Sequence, residues 1–137
     1  MNYTSIEQSK KLLELGLKAE TADMTYFAIT EGERNKMVIK DWKAEIGLNS
    51  AITNNLFSYR NGYVIPCWSV GTLLELISSI RIEDEDIPRT MLWVTYDGWS
   101  IDWKISNIYY NESGKTPIEA CYNMIVWLLQ NNYIKTK

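Results

Sequence analysis

Residues Leu92 to Ile105 alternate between apolar and polar side chains on either side of Asp97-Gly98. Alternation of period two marks half-buried strands, and an Asp-Gly pair between two such runs marks a β-hairpin. With Asp97-Gly98 as the turn, Tyr96 faces Trp99, Val94 faces Ile101, Leu92 faces Trp103 and Thr90 faces Ile105. That face is almost wholly apolar and is expected to be the floor of a core. The other face pairs Thr95 with Ser100, Trp93 with Asp102 and Met91 with Lys104, and it is mixed and mostly polar. Trp93 and Met91 stand out there as apolar residues on the wet side.

Three helices are legible from period and caps. The first runs from about Ser5 to Leu15, with Thr4 and Glu7 as a capping box, Gly16 in the left-handed C-terminal position and Leu17 folding back. The second starts at Ser69, with Trp68 and Leu73 as a hydrophobic staple. It carries a stripe of Val70, Leu73, Leu74, Leu76, Ile77 and Ile80. The third starts at Thr116, with Pro117 first in the helix and Glu119 completing a capping box. Its apolar face is Ile118, Cys121, Tyr122, Ile125 and Leu129, and it ends at Asn131-Asn132. Trp127 projects to the opposite side, beside Asn123 and Gln130.

The remaining strands are shorter signals. Tyr26 to Ile29 and Lys36 to Ile39 read as a hairpin around Glu31-Gly32-Glu33, and Ile108 to Tyr110 as a further strand. Asp41 to Gly47 is ambiguous, and the Asn-rich stretch Asn49–Val64 reads as loop. A short helical turn fits Glu20 to Asp23. Antiparallel runs separated by helices predict an α+β fold. The expectation is a single domain over residues 1–137, with one antiparallel sheet of about four to five strands and about three helices.

Composition adds limits. The 137 residues, 46% of them hydrophobic, are enough for a core without disulfide or metal staples. The only cysteines, Cys67 and Cys121, lack metal-type spacing and read as buried thiols of a reducing compartment. The start Met1-Asn2-Tyr3-Thr4 has no signal-peptide pattern and no run reaches membrane-spanning length, so a cytoplasmic protein without membrane partners is expected. The net charge is −3 with scattered lysines, which argues against a nucleic-acid partner. Histidine is absent, which removes the commonest general base and metal ligand. Six tryptophans and nine tyrosines are present instead, residues favoured in cores and at interfaces.

No motif on the chain names an activity. Gly114-Lys115-Thr116 sits between a strand and a helix, the setting of a phosphate-binding loop. Tyr109 stands where the first glycine of that pattern belongs, and Pro117 removes a backbone donor. A capped turn with a solvated lysine is the favoured reading. Glu83-Asp84-Glu85-Asp86 lacks the ligand spacing and turn glycine of a calcium loop and reads as a solvated linker. Cys67 precedes a helix N-terminus, yet its apolar neighbours and the missing histidine favour packing over nucleophilic chemistry. Glu75, Asp97 and Asp102 form no evident catalytic pair. No catalytic residue, cofactor or metal ligand is assigned. Trp99 and Trp103 belong to the core face and Trp68 to the staple. That leaves Trp93 and Trp127, with Met91, as a candidate contact patch.

Three blocks carry a resemblance: Thr4 to Leu17 with Thr21 to Met24, Ile65 to Leu76, and Ala120 to Tyr133. In this order they resemble short uncharacterised proteins of gut Bacteroidetes, often met in prophages and mobile elements. The resemblance implies a bacterial cytosolic or phage-encoded setting and carries over no functional residue. The expected function is therefore a non-enzymatic accessory protein that binds a protein partner or itself through the aromatic surface. The competing expectation is a small-ligand or nucleotide-binding protein, or an enzyme, using Ser113 to Thr116 or the Asn49–Val64 loop.

Overall fold

The computed structural model describes residues 2–31, 38–46, 64–81 and 87–136. Among these, the fold is α+β, with three α-helices and two three-stranded antiparallel sheets. The expected Gly32 connection, the loop from Asn49 up to Val64 and the Glu83–Asp86 run lie outside the described residues.

Helix α1 spans Ile6–Glu14 and is capped one residue later than expected. Ser5, not Thr4, is the N-cap: its hydroxyl accepts from the Gln8 amide at 3.1 Å, and Gln8 Oε1 accepts from the Ser5 amide at 2.9 Å. Thr4 is drawn inward instead and is fully buried. Its Oγ1 accepts the Trp68 amide at 3.0 Å and lies 2.8 Å from Ser9 Oγ. Its carbonyl accepts the Tyr26 hydroxyl at 2.9 Å. The C-terminus ends as its sequence predicts. Gly16 takes φ 99°, the Gly16 amide donates to the Leu13 carbonyl, and the Leu17 amide donates to that of Leu12. This satisfies two orphan carbonyls and turns Leu17 into the core.

The first sheet has the order β2-β1-β3, built from β1 (Met24–Glu31), β2 (Val38–Ile46) and β3 (Val64–Cys67). The hairpin is longer than its sequence suggests, and β2 absorbs the ambiguous residues from Asp41 to Ile46. Strand β3 is not among the strands expected from the sequence. Pro66 hides it: proline is tolerated in a strand at a sheet edge, and β3 is an edge, with Pro66 opposite Thr25. A 3-10 turn at Ala19–Thr21 precedes the sheet.

Helix α2 (Val70–Ser78) begins at Ser69, which accepts from the Thr72 amide. Asp23 fixes that cap from a distance, taking the Ser69 amide at 2.9 Å and its hydroxyl at 2.6 Å. Trp68 is fully buried beside it, and its indole N–H donates to Thr21 Oγ1 at 2.9 Å.

The second sheet is a meander of β4 (Arg89–Thr95), β5 (Gly98–Ile105) and β6 (Ile108–Gly114). The hairpin forms where expected, but its register differs. The turn residues are Tyr96 and Asp97, and Thr95 pairs with Gly98. Leu92 therefore faces Ile101 rather than Trp103, and Val94 faces Trp99. The slip is two residues, so it preserves the alternation: the residues expected to share a face still share it. Tyr96 is the exception. Expected on the core floor, it sits in the turn and is fully exposed.

Helix α3 (Pro117–Gln130) covers β5 and β6. Thr116 Oγ1 accepts from the Glu119 amide, and Asn132, at φ 62°, ends the helix as Gly16 ends α1. Apolar burial is split. The larger cluster gathers Trp68, α2, α3 and the inner side of the second sheet. A smaller one joins Met24, Tyr26, Ile65 and Cys67 of the first sheet to Tyr3, Ile6 and Trp42. The single sheet expected from the sequence is thus two sheets. Among the described residues, β1 is paired along both sides, by β2 and β3, and no strand of this sheet pairs with β4, β5 or β6.

Candidate interaction face

Alternation gives the second sheet two unlike sides. Ile101, Trp103 and Ile105 are buried on the helix side. Met91, Trp93, Ser100, Asp102, Tyr109 and Asn111 occupy the other, in rows fixed by the ladder: Met91 beside Asp102 and Asn111, and Trp93 beside Ser100 and Ser113. Met91 is 63% and Tyr109 59% exposed, while Trp93 is half-buried.

The polar part of this outer face is held in place by its own hydrogen bonds. Asn111 Nδ2 donates to Ser100 Oγ at 2.8 Å and to Asp102 Oδ1 at 2.7 Å. The Tyr109 hydroxyl donates to the same Asp102 oxygen at 2.8 Å, and that bond raises its pKa above the ordinary phenol value. The four side chains form a fixed pad beside Met91. At the end of the sheet Arg89 stands opposite Lys104, next to Tyr109.

The structure brings together two of the three patch residues expected from the sequence. Met91 and Trp93 share the outer face. Trp127 lies on the other side of the sheet, stacked on Tyr110 at 3.8 Å with an interplanar angle of 8°, and packed against Trp103 and Tyr133. Helical projection places Trp127 beside Asn123 and Gln130, and it does border them. The aromatic side chains of β6 and of the tail after α3 meet it there.

The Ser113 to Thr116 turn does not form a phosphate cradle. Ser113 and Gly114 remain in the β6 ladder, opposite Ser100 and Trp99, so only Lys115 and Thr116 link strand to helix. Gly114 is a packing glycine: a Cβ there would lie 2.6 Å from the Ala120 amide nitrogen and 2.8 Å from Glu119 Cβ. The neighbouring cleft of about 290 Å³ is lined by Asp97 and Glu119 as well as Lys115. Two carboxylates oppose a bound anion there.

The thiols offer no nucleophile. Both cysteines are fully buried. Burial, with Asp23 second, pushes Cys67 up to about 12, and burial pushes Cys121 up to about 12. Among the described residues no group of three histidine, cysteine or acidic side chains could hold a metal ion, and no helix is long and apolar enough to cross a membrane.

Sequence reasoning missed Val94 and Tyr109 as surface residues; Val94 is 65% exposed. Val94 lies on the nominally inner side, near the turn, where helical cover gives out. The signal was its place at the far end of the hairpin, but nothing in the pattern says how far a helix reaches.

No protein-family model matches this chain, and no curated protein or solved structure matches it.

Proposed function

We propose that the chain is a non-enzymatic interaction protein whose contact surface is the outer face of the second sheet, centred on Met91 and Trp93. The observation that carries this reading is the pairing of exposed Met91 and half-buried Trp93 on the outer sheet face with a pad of pre-bonded polar groups beside them. Flexible thioether and aromatic groups suit contact with protein surfaces. The pad adds donors and acceptors already held in place, which lowers the ordering cost of binding. An accessory role in the bacterial or phage setting implied by the resemblance fits a protein that carries neither histidine nor reactive thiol. A cytoplasmic location suits two unpaired thiols.

A photo-crosslinking benzoylphenylalanine in place of Met91, introduced in the native cells, tests the reading. The expected result is discrete protein adducts from position 91 that the same replacement at exposed Lys135 does not give. Equal adducts from both positions, or none from either, would overturn it.

A further inference from the structure

The edge of the second sheet carries an inference beyond its face. Among the described residues, β4 is an edge strand. Natural edges are guarded by charge, proline, bulges or cover. From Thr90 to Thr95 this edge has no charged residue, glycine or proline. Among the described residues, five large hydrophobics are exposed, and Ile87, Met91, Val94 and Tyr96 of these lie on β4 or within two residues of it. Met91 points to the outer face and Val94 to the inner one, and both are exposed, while Thr90 meets Ser78 of α2 and Leu92 packs on the core from the inner side. The opposite edge differs: β6 carries Asn111, Glu112 and Ser113, and α3 packs along it.

Backbone direction follows from the hairpin. Its two-residue connection closes on the Thr95–Gly98 pair, so the main-chain groups of Thr95, Trp93 and Met91 point to β5. Those of Thr90, Leu92 and Val94 point away, to the free edge.

We propose that β4 pairs antiparallel with β4 of a second copy about a two-fold axis at Leu92, joining two three-stranded sheets into one. This rests on the reading of Met91 and Trp93 as a contact surface and names its occupant. The register is selected by the strand itself. Centred on Leu92, the outward-pointing residues meet one another: Thr90 meets Val94 of the second copy, Leu92 meets Leu92, and Val94 meets Thr90. A slip one way sets Pro88, which has no N–H, against Val94. A slip the other way draws in the turn residue Tyr96. In the centred register Met91 lies directly across from Trp93 of the second copy, at the closely spaced non-hydrogen-bonded pair where side chains approach best, and symmetry makes this contact twice. The two Arg89 side chains fall at opposite ends, each across from Thr95, so no like charges meet. That self-complementarity is why the occupant is a second copy rather than an unrelated strand.

Sedimentation equilibrium of the full chain, from low to high micromolar concentration, tests this. The wild-type mass should rise from 16.0 kDa toward twice that value. Val94→Pro removes an amide that faces only the free edge and leaves the β5 ladder whole. It should stay monomeric with an unchanged circular dichroism spectrum. Val94→Ala keeps the amide and should still dimerise, weakened by no more than about tenfold. A wild-type chain that remains monomeric throughout, or a Val94→Pro chain that associates like wild type, overturns the proposal. If Val94→Pro does not fold, wild-type hydrogen exchange decides. Protection of the Leu92 and Val94 amides that grows with concentration supports the pairing, and rapid exchange at every concentration overturns it. A monomeric wild type that still gives specific adducts from position 91 removes this dimer and leaves the contact surface standing.

Discussion

Tyr110 lies flat on Trp127, ring on ring, with centroids 3.8 Å apart and planes 8° from parallel. The tyrosine is further fixed by donating its hydroxyl to Glu112 Oε2 at 2.6 Å, which pushes its pKa up to about 12. With Trp103 and Tyr133, the pair locks α3 to β6. Trp127 is therefore a structural tryptophan, while Trp93 has no ring partner of this kind among the described contacts. Trp127→Ala should cost about 3 kcal/mol, from lost burial and lost stacking. Trp93→Ala should cost about 1 kcal/mol or less, as expected near a surface. Urea unfolding of both variants checks the contrast, and equal losses would contradict it.

A second prediction concerns Thr4, whose hydroxyl satisfies the buried Trp68 amide and meets Ser9. Thr4→Val keeps the shape and strands that amide. It should lower stability by about 1–3 kcal/mol with an unchanged denaturant slope. Ser5→Ala removes only the cap of α1 and should cost about 1 kcal/mol.

The two glycines at Gly71 and Gly114 should respond with opposite signs. Gly114→Ala drives a methyl into the start of α3 and should destabilise by about 1–3 kcal/mol. At Gly71 an added Cβ meets only Ser69 Oγ at 3.9 Å. Gly71→Ala should stabilise by up to about 1 kcal/mol through helix propensity. Thermal melts of the two variants give the signs directly.

The buried thiols make stability depend on alkaline pH. In the unfolded chain a thiol loses its proton near 9, whereas the folded chain holds Cys67 and Cys121 neutral up to about 12. Between those values the folded state binds more protons than the unfolded state, so stability falls as pH rises. The contribution is intact below pH 9 and is lost progressively toward pH 12. Iodoacetamide at pH 8.5 should leave both cysteines unmodified in the folded protein and label both in urea. Rapid labelling of the folded chain would contradict the burial.

Much of this architecture is legible in the sequence, and the misses share a physical cause. Caps and periodicity place α2 and α3, and Gly16 places the end of α1, because those signals are local. The hairpin register is not local in the same way. Both candidate registers put Leu92, Val94, Ile101 and Trp103 on one side, since a two-residue slip leaves every side chain on its own face. The hydrophobic pattern therefore identifies the faces and is blind to the partners. Strand β3 escapes because Pro66 argues against a strand unless its edge position is known. Trp127 escapes because helix projection gives a direction but not the reach of a large ring toward Tyr110. Met91 and Trp93 were legible for the opposite reason: nothing nonlocal is needed to see two apolar residues on the polar side of an alternating strand.

Hydroxyl-radical footprinting read at Met91 and Trp93, in dilute purified protein and in intact native cells, tests the contact surface most directly. Met91 should oxidise rapidly in the dilute protein and both residues should be strongly protected in cells, while exposed Tyr96 in the hairpin turn changes little. Equal oxidation of Met91 and Trp93 under the two conditions would contradict it.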